Sequence, residues 1–387
     1  MGALARHCKL TGKRILARLP AGIRHAVLRR YLGHKLERLR SLHTPVAMTY
    51  FVTNACNLRC VHCFYWRELR RPEEELSLEA ISRIARSLKH PIDLALTGGE
   101  PTLRSDLVDI CRVFHEENGC RRMAIATNGS LPARVAGICT DILETLDLES
   151  LSIQVSLDGS EAAHDAIRQV EGAHAKAMET IEALQQLGTH DRRLSVHAAL
   201  CIQQANIESL EGFIDEMQSR RIKHRFILLR GSSYGTYRLP KEVQSGIDPR
   251  EAAAAEPTVA QLREAIARVS RREAEGDEGL WSVGNRITIE LALRVLETQQ
   301  RQLPCYAGEL EAVLYPGGEV AMCELCRPVG HLEDFEWDMA KLWTSPAAQA
   351  MRRLLQQCCC IHGCNLSTSA QFDPAIFSRQ DIEPLAR

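Results

Sequence analysis

The chain has no long apolar segment and almost no net charge, and each absence narrows the class of protein. None of its 387 residues lie in a run of about 20 mostly apolar residues, the length that spans a bilayer. Charges are scattered through residues 1–20, where a signal peptide would need an unbroken apolar core. The 48 basic and 49 acidic residues nearly cancel, which argues against nucleic-acid binding. We therefore expect a cytoplasmic protein whose 15 cysteines are reduced and include metal ligands.

Three of the cysteines follow directly after an apolar run, Val46–Val52. Cys56, Cys60 and Cys63 have the spacing C-x3-C-x2-C. An apolar run closed by polar residues predicts a buried strand that ends in a loop. Three thiolates on one loop can hold three corners of a four-iron cluster and leave the fourth iron open. On this spacing alone, a zinc knuckle or three reduced core thiols remain as alternatives.

Apolar strands alternate with helical segments from Val46 onward. The predicted strands are Val46–Thr53, Leu94–Thr97, Met123–Thr127, Leu151–Leu157, Leu194–Ile202 and Arg225–Leu229. Helical spacing follows the N-cap candidates Ser77 and Asp106 and recurs over residues 210–217. Repeated β-α units predict a parallel sheet with right-handed crossovers, in too few copies for a closed eight-stranded barrel.

Polar or glycine-rich clusters follow the first four of these strands. They are Cys56–Cys63, Gly98-Gly99-Glu100-Pro101, Asn128-Gly129 and Ser156–Gly159. In α/β barrels, residues that do chemistry lie at the C-terminal ends of strands. The two glycines allow close backbone approach, and Pro101 fixes the chain so that Glu100 points at a ligand. The sequence thus predicts one functional rim.

The cysteine loop followed by Gly98–Pro101 resembles the radical S-adenosylmethionine (SAM) superfamily, over about residues 46–229. The resemblance implies an open, partial (β/α)6 TIM-like barrel in which Cys56, Cys60 and Cys63 bind a [4Fe-4S] cluster. It also implies that Glu100 holds the amino group of SAM, as suits a carboxylate facing an ammonium.

Other SAM contacts are implied in the same way. Ser156 and Arg168 would grip the SAM carboxylate, and Asn128 would lie near the ribose. His62 and Tyr65 would stack on or hydrogen-bond the adenine, or else be ordinary packed aromatics. The predicted cofactor-binding residues are His62, Tyr65, Gly98, Gly99, Glu100, Pro101, Asn128, Ser156, Asp158 and Arg168.

A second group of cysteines lies near the C-terminus. Cys305 precedes a strand-turn-strand pattern with a Pro316-Gly317-Gly318 turn, which predicts a β-hairpin that ends at Cys323. A helix is predicted after Ser345-Pro346, followed by Cys358–Cys364. This small cysteine-rich extension resembles the twitch form of the SPASM extension and implies one auxiliary iron-sulfur cluster, of the [4Fe-4S] type. A four-cysteine zinc site is the alternative.

The expected auxiliary ligands are Cys305, Cys323, Cys360 and Cys364. Cys360 and Cys364 can face one point if the tail is helical or tightly turned. If the tail is extended, Cys358 shares the side of Cys360 and can substitute. Cys326 and His362 remain as spares.

Residues 1–44 are strongly basic, with eleven Lys/Arg and the single acid Glu37. They predict two short helices broken at Pro20-Ala21-Gly22, the second with a stripe of Leu28, Leu32, Leu36 and Leu39. Such a helix can lie on an anionic membrane surface, or pack on the barrel with a solvated basic face. The predicted divisions are this segment, the barrel at 45–232, a lid or linker with helices at 233–300, and the cysteine-rich domain at 301–387. Gly231–Glu256 is the candidate lid.

The function implied by the resemblance is reductive cleavage of SAM to a 5′-deoxyadenosyl radical. That radical would oxidise or cross-link a peptide or small-molecule substrate by hydrogen abstraction, with electrons from a donor such as flavodoxin or ferredoxin. A non-catalytic iron-sulfur or zinc-binding scaffold is the alternative. The complete cysteine loop and the Gly98–Pro101 turn favour the enzyme.

Overall fold

In the computed structural model, which describes residues 20–69, 75–230, 234–245, 256–276, 280–374 and 376, strands and helices alternate as predicted. The first six strands are β1 (Ala47–Phe51), β2 (Asp93–Thr97), β3 (Arg122–Thr127), β4 (Ser150–Ser156), β5 (Leu194–Ile202) and β6 (His224–Leu228). The helices before and between them are α1 (Ala21–Arg40), α2 (Leu78–Ser87), α3 (Leu107–Val113), α4 (Pro132–Thr145), α5 (Glu161–Arg168), α6 (Ala173–His190) and α7 (Leu210–Ser219). All six predicted strands are confirmed, with ends displaced by at most two residues.

The six strands lie side by side in chain order and run parallel. Their C-terminal ends therefore meet at one edge, where the cysteine loop, the Gly98–Pro101 turn and the end of β4 are neighbours. The predicted open (β/α)6 barrel is confirmed. This arrangement positions the candidate site.

Helix caps follow the sequence in one case and depart from it in another. The Ser77 side chain accepts a hydrogen bond from the Ala80 amide and caps α2, as predicted. Asp106 precedes α3 at the N-cap position, as predicted, but its side chain makes no cap hydrogen bond. Although α3 begins at Leu107, the Asp106 carboxylate accepts from Nε of Arg104 at 2.7 Å, because the buried guanidinium needs a counter-ion.

The predicted C-terminal hairpin is confirmed and extends the barrel sheet. Its strands are β8 (Glu311–Leu314) and β9 (Glu319–Ala321), which pair antiparallel. β8 also pairs in parallel with β1, with Ala47 opposite Glu311, and β10 (Gly330–His331) follows on the outside of β9. One nine-stranded sheet, in the order β10-β9-β8-β1-β2-β3-β4-β5-β6, thus joins the segment before the cysteine loop to the C-terminal region. The four predicted domain ranges stay predictions.

The opposite edge of the sheet, β6, is covered by side-chain and backbone groups from a later segment. Asn285 acts like a peptide unit: its Oδ1 accepts from the Phe226 amide at 2.8 Å and its Nδ2 donates to the Phe226 carbonyl at 2.9 Å. The His224 amide donates to the Leu280 carbonyl at 2.9 Å, and Trp281 is fully buried beside it. These contacts satisfy strand groups that would otherwise be unpaired.

The remaining elements close the open side of the barrel and form the cysteine-rich region. They are β7 (Thr236–Tyr237), α8 (Val259–Ala274), α9 (Val283–Thr298), α10 (Met339–Trp343), α11 (Pro346–Leu355), β11 (Cys359–Cys360) and α12 (Gly363–Ala370). Helix α11 begins at the predicted position, with Ser345 as its cap. β11 pairs antiparallel with β7, so the cysteine tail is extended at this point.

Helix α1 confirms the second of the two predicted N-terminal helices. Leu32 is buried, while Ile23, Val27 and Tyr31 are exposed on another side of the helix. At the helix end, Nε of Arg40 donates to Glu309 at 2.7 Å. The first predicted helix lies in residues 1–19, outside the described residues, as do 231–233 and 246–255 of the candidate lid. Among the described helices, none has the length and apolar character of a membrane span.

Candidate active site

The cysteine loop lies at the C-terminal end of β1. Cys56, Cys60 and Cys63 all line one cavity of about 400 Å³ that extends along the inner face of the sheet. The Cys63 amide donates to the Cys60 carbonyl at 3.2 Å, and the Val61 amide donates to the carbonyl of Ile167 in α5 at 2.9 Å. The loop is therefore tied to α5 while its three thiols face a common space.

The surroundings of these thiols suit a bound iron-sulfur cluster. Burial raises the pKa of Cys56 to about 11 and that of Cys63 to about 12, so both remain protonated at neutral pH unless a cation is near. Metal ions displace such protons and bind the thiolate. Three thiols on one loop fit a four-iron cluster with one iron left for another ligand.

The two glycines of the Gly98–Pro101 turn pack against the backbone that leads into the cysteine loop. Gly98 has a φ of +140°, and a Cβ there would lie 2.5 Å from the Thr53 carbonyl oxygen. A Cβ on Gly99 would lie 2.1 Å from the Ala55 carbonyl oxygen. The amides of Gly99 and Glu100 donate to those carbonyls of Thr53 and Ala55 at 2.8 and 2.7 Å. The turn therefore braces the loop, and only glycine fits both positions.

Glu100 is almost fully buried, and its carboxylate accepts hydrogen bonds from neighbouring residues of the protein. Oε1 accepts from the amide and hydroxyl of Thr102 at 3.2 and 2.6 Å and from the Thr127 hydroxyl at 2.8 Å. Oε2 accepts from the Asn128 amide at 2.7 Å. Burial raises the pKa of the Glu100 carboxyl, and these hydrogen bonds oppose the rise. Among the described residues Oε2 keeps one acceptor position, so the predicted contact with the SAM ammonium stays a prediction.

Arg168 bridges the cysteine loop and β4. Its Nη2 lies 2.6 Å from Oδ2 of Asp158, and its Nη1 donates to Sγ of Cys60 at 3.4 Å. Burial alone would raise the pKa of Asp158, but the Arg168 guanidinium holds it below its usual value. Arg168 is therefore already paired, whereas Ser156 at the end of β4 lines the cavity. Their contacts with the SAM carboxylate stay predictions.

Asn128 and His62 also line the cavity. Nδ2 of Asn128 donates to Oδ1 of Asn57 at 2.9 Å, which ties the end of β3 to the cysteine loop. Nε2 of Gln203 lies 3.2 Å from Nδ1 of His62. Burial lowers the pKa of His62 to about 4, so the ring is neutral at physiological pH and offers an uncharged surface.

Tyr65 is a packed aromatic at the cavity wall. Its ring lies 4.8 Å from that of Phe51 and is stacked at 6.3 Å on that of Tyr315. Its hydroxyl donates to Oδ1 of Asn54 at 2.6 Å. These contacts agree with the packed aromatic that the sequence analysis offered as the alternative for Tyr65. A contact with adenine stays a prediction.

Five thiols of the C-terminal region form a second group. The neighbouring Cys323 thiol raises the pKa of Cys326, and the neighbouring Cys358 thiol raises that of Cys360, so each pair lies close together. Burial raises the pKa of Cys305, and the nearby charges of Cys360 and Cys323 raise it further. The extended tail brings Cys358 beside Cys360, as the sequence predicted for that conformation. The group contains one thiol more than a cluster or a zinc ion needs.

Cys364, the fourth expected auxiliary ligand, faces the active-site cavity. Its sulfur, the His362 ring and the Glu324 carboxylate offer ligand atoms that lie within 4.8 Å of one another. Nε2 of His362 is 3.2 Å from Oε2 of Glu324, and Arg230 forms an ion pair with the same carboxylate. Of the four expected ligands, Cys305, Cys323 and Cys360 are near enough to affect one another's pKa, whereas Cys364 lies on the cavity wall. Among the described residues, the group of three possible ligands within 4.8 Å contains Cys364 and none of the other three.

Three polar side chains on the inner face of the sheet were not predicted as site residues. Gln154 in β4, His197 in β5 and Arg225 in β6 line the same cavity as the cysteine loop. The signal in the sequence is a polar residue that interrupts an apolar strand at an inward position of its two-residue period. Patterns at the ends of the strands alone do not indicate these three residues.

Comparison with known proteins gives one family. A family model described as the Radical SAM superfamily matches residues 50–217. A GTP 3′,8-cyclase of Pectobacterium atrosepticum is 31% identical over 189 residues, 48% of this chain and 55% of that protein. The mycofactocin maturase MftC of Mycolicibacterium smegmatis is 32% identical over 180 residues, 45% of this chain and 42% of that protein. The chain spans about half the length of the curated relatives it matches.

Solved structures share the fold over a larger part of the chain. Native anSMEcpe with bound AdoMet has a TM-score of 0.57 at 13% identity and covers 88% of this chain and 99% of that one. Streptococcus suis SuiB bound to the precursor peptide SuiA has a TM-score of 0.56 at 15% identity and covers 84% of this chain and 70% of that one. At such identities the likeness establishes the fold alone.

The fold and the site define a partial α/β barrel with a loop of three thiols at the rim of its parallel sheet. The family match extends from within β1 to α7 and includes the cysteine loop and the Gly98–Pro101 turn. This part of the chain is similar to the radical SAM superfamily, a superfamily of enzymes.

Proposed function

We propose that this protein cleaves SAM reductively and uses the resulting 5′-deoxyadenosyl radical to abstract hydrogen from a peptide or small-molecule substrate. One observation carries the proposal: the three loop thiols share a single cavity with Glu100, Asn128 and all the other residues predicted to bind SAM except Pro101. The cavity continues along the inner face of the sheet, which leaves room for a substrate beside SAM.

The contacts around the cysteine loop give each group of residues a role in the proposed reaction. When bound, the cluster supplies one electron to SAM. Gly98 and Gly99 fix the loop that holds the thiols, and Glu100 offers its remaining acceptor position to the SAM ammonium. The Arg168–Asp158 pair places a guanidinium beside Cys60, where positive charge stabilises bound thiolate.

The cavity wall next to the cysteine loop suits radical chemistry. Phe51, Phe64 and Tyr65 line it, and they offer little to hydrogen-bond to water. An apolar wall limits side reactions of reactive intermediates with solvent. The same packing orders the end of β1, from which the loop departs.

A second part of the proposal is one auxiliary [4Fe-4S] cluster of the twitch type at the C-terminal thiol group. The contacts among Cys323, Cys326, Cys358 and Cys360, with Cys305 nearby, support it. Its chemistry would be to accept the electron left on the substrate radical in a net two-electron oxidation. A four-thiol zinc site is the competing occupant.

The substrate class is proposed from both kinds of relative. SuiB was solved with the precursor peptide SuiA, and MftC is named a mycofactocin maturase. GTP 3′,8-cyclase is named for a small molecule. We propose a cytoplasmic enzyme that receives electrons from a donor such as flavodoxin or ferredoxin, with α1 as a peripheral contact to anionic membranes.

The test of the enzyme proposal is the formation of 5′-deoxyadenosine by anaerobically reconstituted protein with SAM and a strong reductant. We expect about eight irons per chain, four for each cluster, and slow 5′-deoxyadenosine formation without substrate. The triple variant C56A/C60A/C63A should keep about four irons and form no 5′-deoxyadenosine. Wild-type protein that binds iron but never cleaves SAM would favour the scaffold alternative, and a folded triple variant without iron would refute the second cluster.

A further inference from the structure

The inner face of the sheet is lined mainly by small side chains, which makes its few polar groups conspicuous. The small residues are Thr49, Ala95, Ala124, Ala126, Ser152 and Ala199. Gln154 and His197 are direct neighbours on β4 and β5, and Arg225 on β6 lies opposite Ala199. Nη1 of Arg225 reaches across to Oε1 of Gln154 at 3.4 Å. A polar trio thus crosses three strands within the cavity.

The hydrogen-bonding capacity of this trio is largely unused. A guanidinium has five N–H donors, and Arg225 spends one of them on a long hydrogen bond to Gln154. Its Nε and the Nε2 of His197 are buried without a partner among the described residues. Buried polar atoms are normally paired, so orphaned atoms that face a cavity indicate a missing ligand.

The charge of Arg225 is also uncompensated. Two other arginines that line the cavity have carboxylate partners: Arg168 pairs with Asp158 and Arg230 pairs with Glu324. Within the described part of the chain, no carboxylate lies within 4.0 Å of the Arg225 guanidinium. A guanidinium kept in a cavity without a counter-ion costs free energy unless an anion binds there.

His197 adds a hydrogen-bonding group without adding charge. Burial and the nearby cations Arg225 and Lys223 lower the pKa of His197 to about 4, so its ring is neutral at physiological pH. A neutral imidazole has one donor and one acceptor nitrogen. Next to the guanidinium of Arg225, the donor nitrogen of His197 can hydrogen-bond an oxygen of a carboxylate or phosphate.

Arg225 lies apart from the residues predicted to hold the ammonium and ribose of SAM, although Gln154 is on the same strand as Ser156. Glu100 and Asn128 lie at the ends of β2 and β3, whereas Arg225 lies on β6 and is close enough to Cys364 to affect its pKa. We propose that Arg225, with His197 and Gln154, binds an anionic carboxylate or phosphate group of the substrate. This inference deepens the proposed function and rests on it, because the bound anionic group is assigned to the substrate of the proposed enzyme.

The test measures anion binding directly, without turnover. Reconstituted protein is titrated with inorganic phosphate and, separately, with acetate at constant ionic strength, and the shift in melting temperature is recorded. We expect at least one of the anions to stabilise the wild type, and the preferred anion distinguishes a phosphate from a carboxylate group. R225Q should weaken that binding by about tenfold or more, because a charge-assisted contact is lost, and R225K should fall between.

Further variants test whether the anion effect is specific to the trio. R220Q, which removes the exposed arginine that follows α7, should leave the anion shift unchanged, and H197L should reduce it. If R225Q does not fold, R225K and H197L carry the test. Equal anion binding by wild type, R225K and H197L would overturn the inference, and so would a loss of SAM affinity in R225Q, which would assign Arg225 to the SAM carboxylate. Anion binding in a wild type that never cleaves SAM would overturn the proposed function separately.

Discussion

At the scale of single residues, Gly99 has the least room for change. A Cβ at this position would meet the Ala55 carbonyl oxygen at 2.1 Å, and both groups are backbone, which cannot move aside like a flexible side chain. We predict that G99A displaces the cysteine loop and lowers the free energy of unfolding by about 2–3 kcal/mol. Iron content of the C56/C60/C63 centre and the denaturant midpoint measure the two effects.

The matched control for G99A is G137A on the exposed side of α4. No atom lies within 4 Å of the added Cβ there, so the substitution should stabilise the helix by about 0.5–1 kcal/mol. If G99A kept both its iron and its denaturant midpoint, the bracing role of the turn would be wrong.

Glu100 combines a structural and a proposed binding role, and two variants separate them. We predict that E100A weakens SAM binding by about 1.5–3 kcal/mol, the usual worth of a hydrogen bond to a charged group. T127V removes one of the hydrogen bonds to Oε1 but leaves the carboxylate in place. It should destabilise the fold while binding SAM nearly as the wild type does. Equal loss of SAM affinity in both variants, measured by equilibrium dialysis, would assign Glu100 to architecture alone.

At the scale of elements, α1 presents apolar and basic groups together. Ile23 and Tyr31 are 54% and 65% exposed, and the helix carries arginines along its length. We predict that the protein sediments with anionic phosphatidylserine vesicles and not with neutral phosphatidylcholine vesicles, and that salt weakens the binding. Y31S should reduce the bound fraction, whereas V170S, which alters an exposed apolar residue elsewhere, should not. Equal binding to both vesicle types would contradict the electrostatic part of this proposal.

At the scale of the whole molecule, the C-terminal thiol group differs from the ligand set expected from spacing. Cys305, Cys323, Cys326, Cys358 and Cys360 gather, while Cys364 faces the cavity. We predict that C323A and C360A lose the iron of the auxiliary centre, about four atoms per chain, and that C364A retains it. The iron and sulfide content of each single variant measures this. Loss of that iron in C364A would restore the ligand set predicted from the sequence.

Local patterns explain why much of the fold could be predicted and part of it could not. The apolar runs define β1 to β6, and the Pro316-Gly317-Gly318 turn defines the hairpin, because both signals lie within a few neighbouring residues. The pairing of β8 with β1 joins segments far apart in the chain, and no local pattern encodes that register. The placement of Arg225 and Cys364 on one cavity has the same origin. It depends on how distant elements meet, which residue spacing does not contain.

The pairing of β8 with β1 also determines when the sheet beside the cysteine loop is completed during synthesis. During synthesis, the strand that carries the cysteine loop leaves the ribosome early, but its β8 neighbour is added only when the chain has reached Glu311. Contacts of such high sequence separation form late, because the entropy of closing the intervening chain must first be lost. Until then β1 is an open strand edge, and the three thiols after it stand beside an unfinished sheet. We expect cluster insertion to follow release of nearly the whole chain, so truncation before β8 should yield protein that aggregates and does not retain iron.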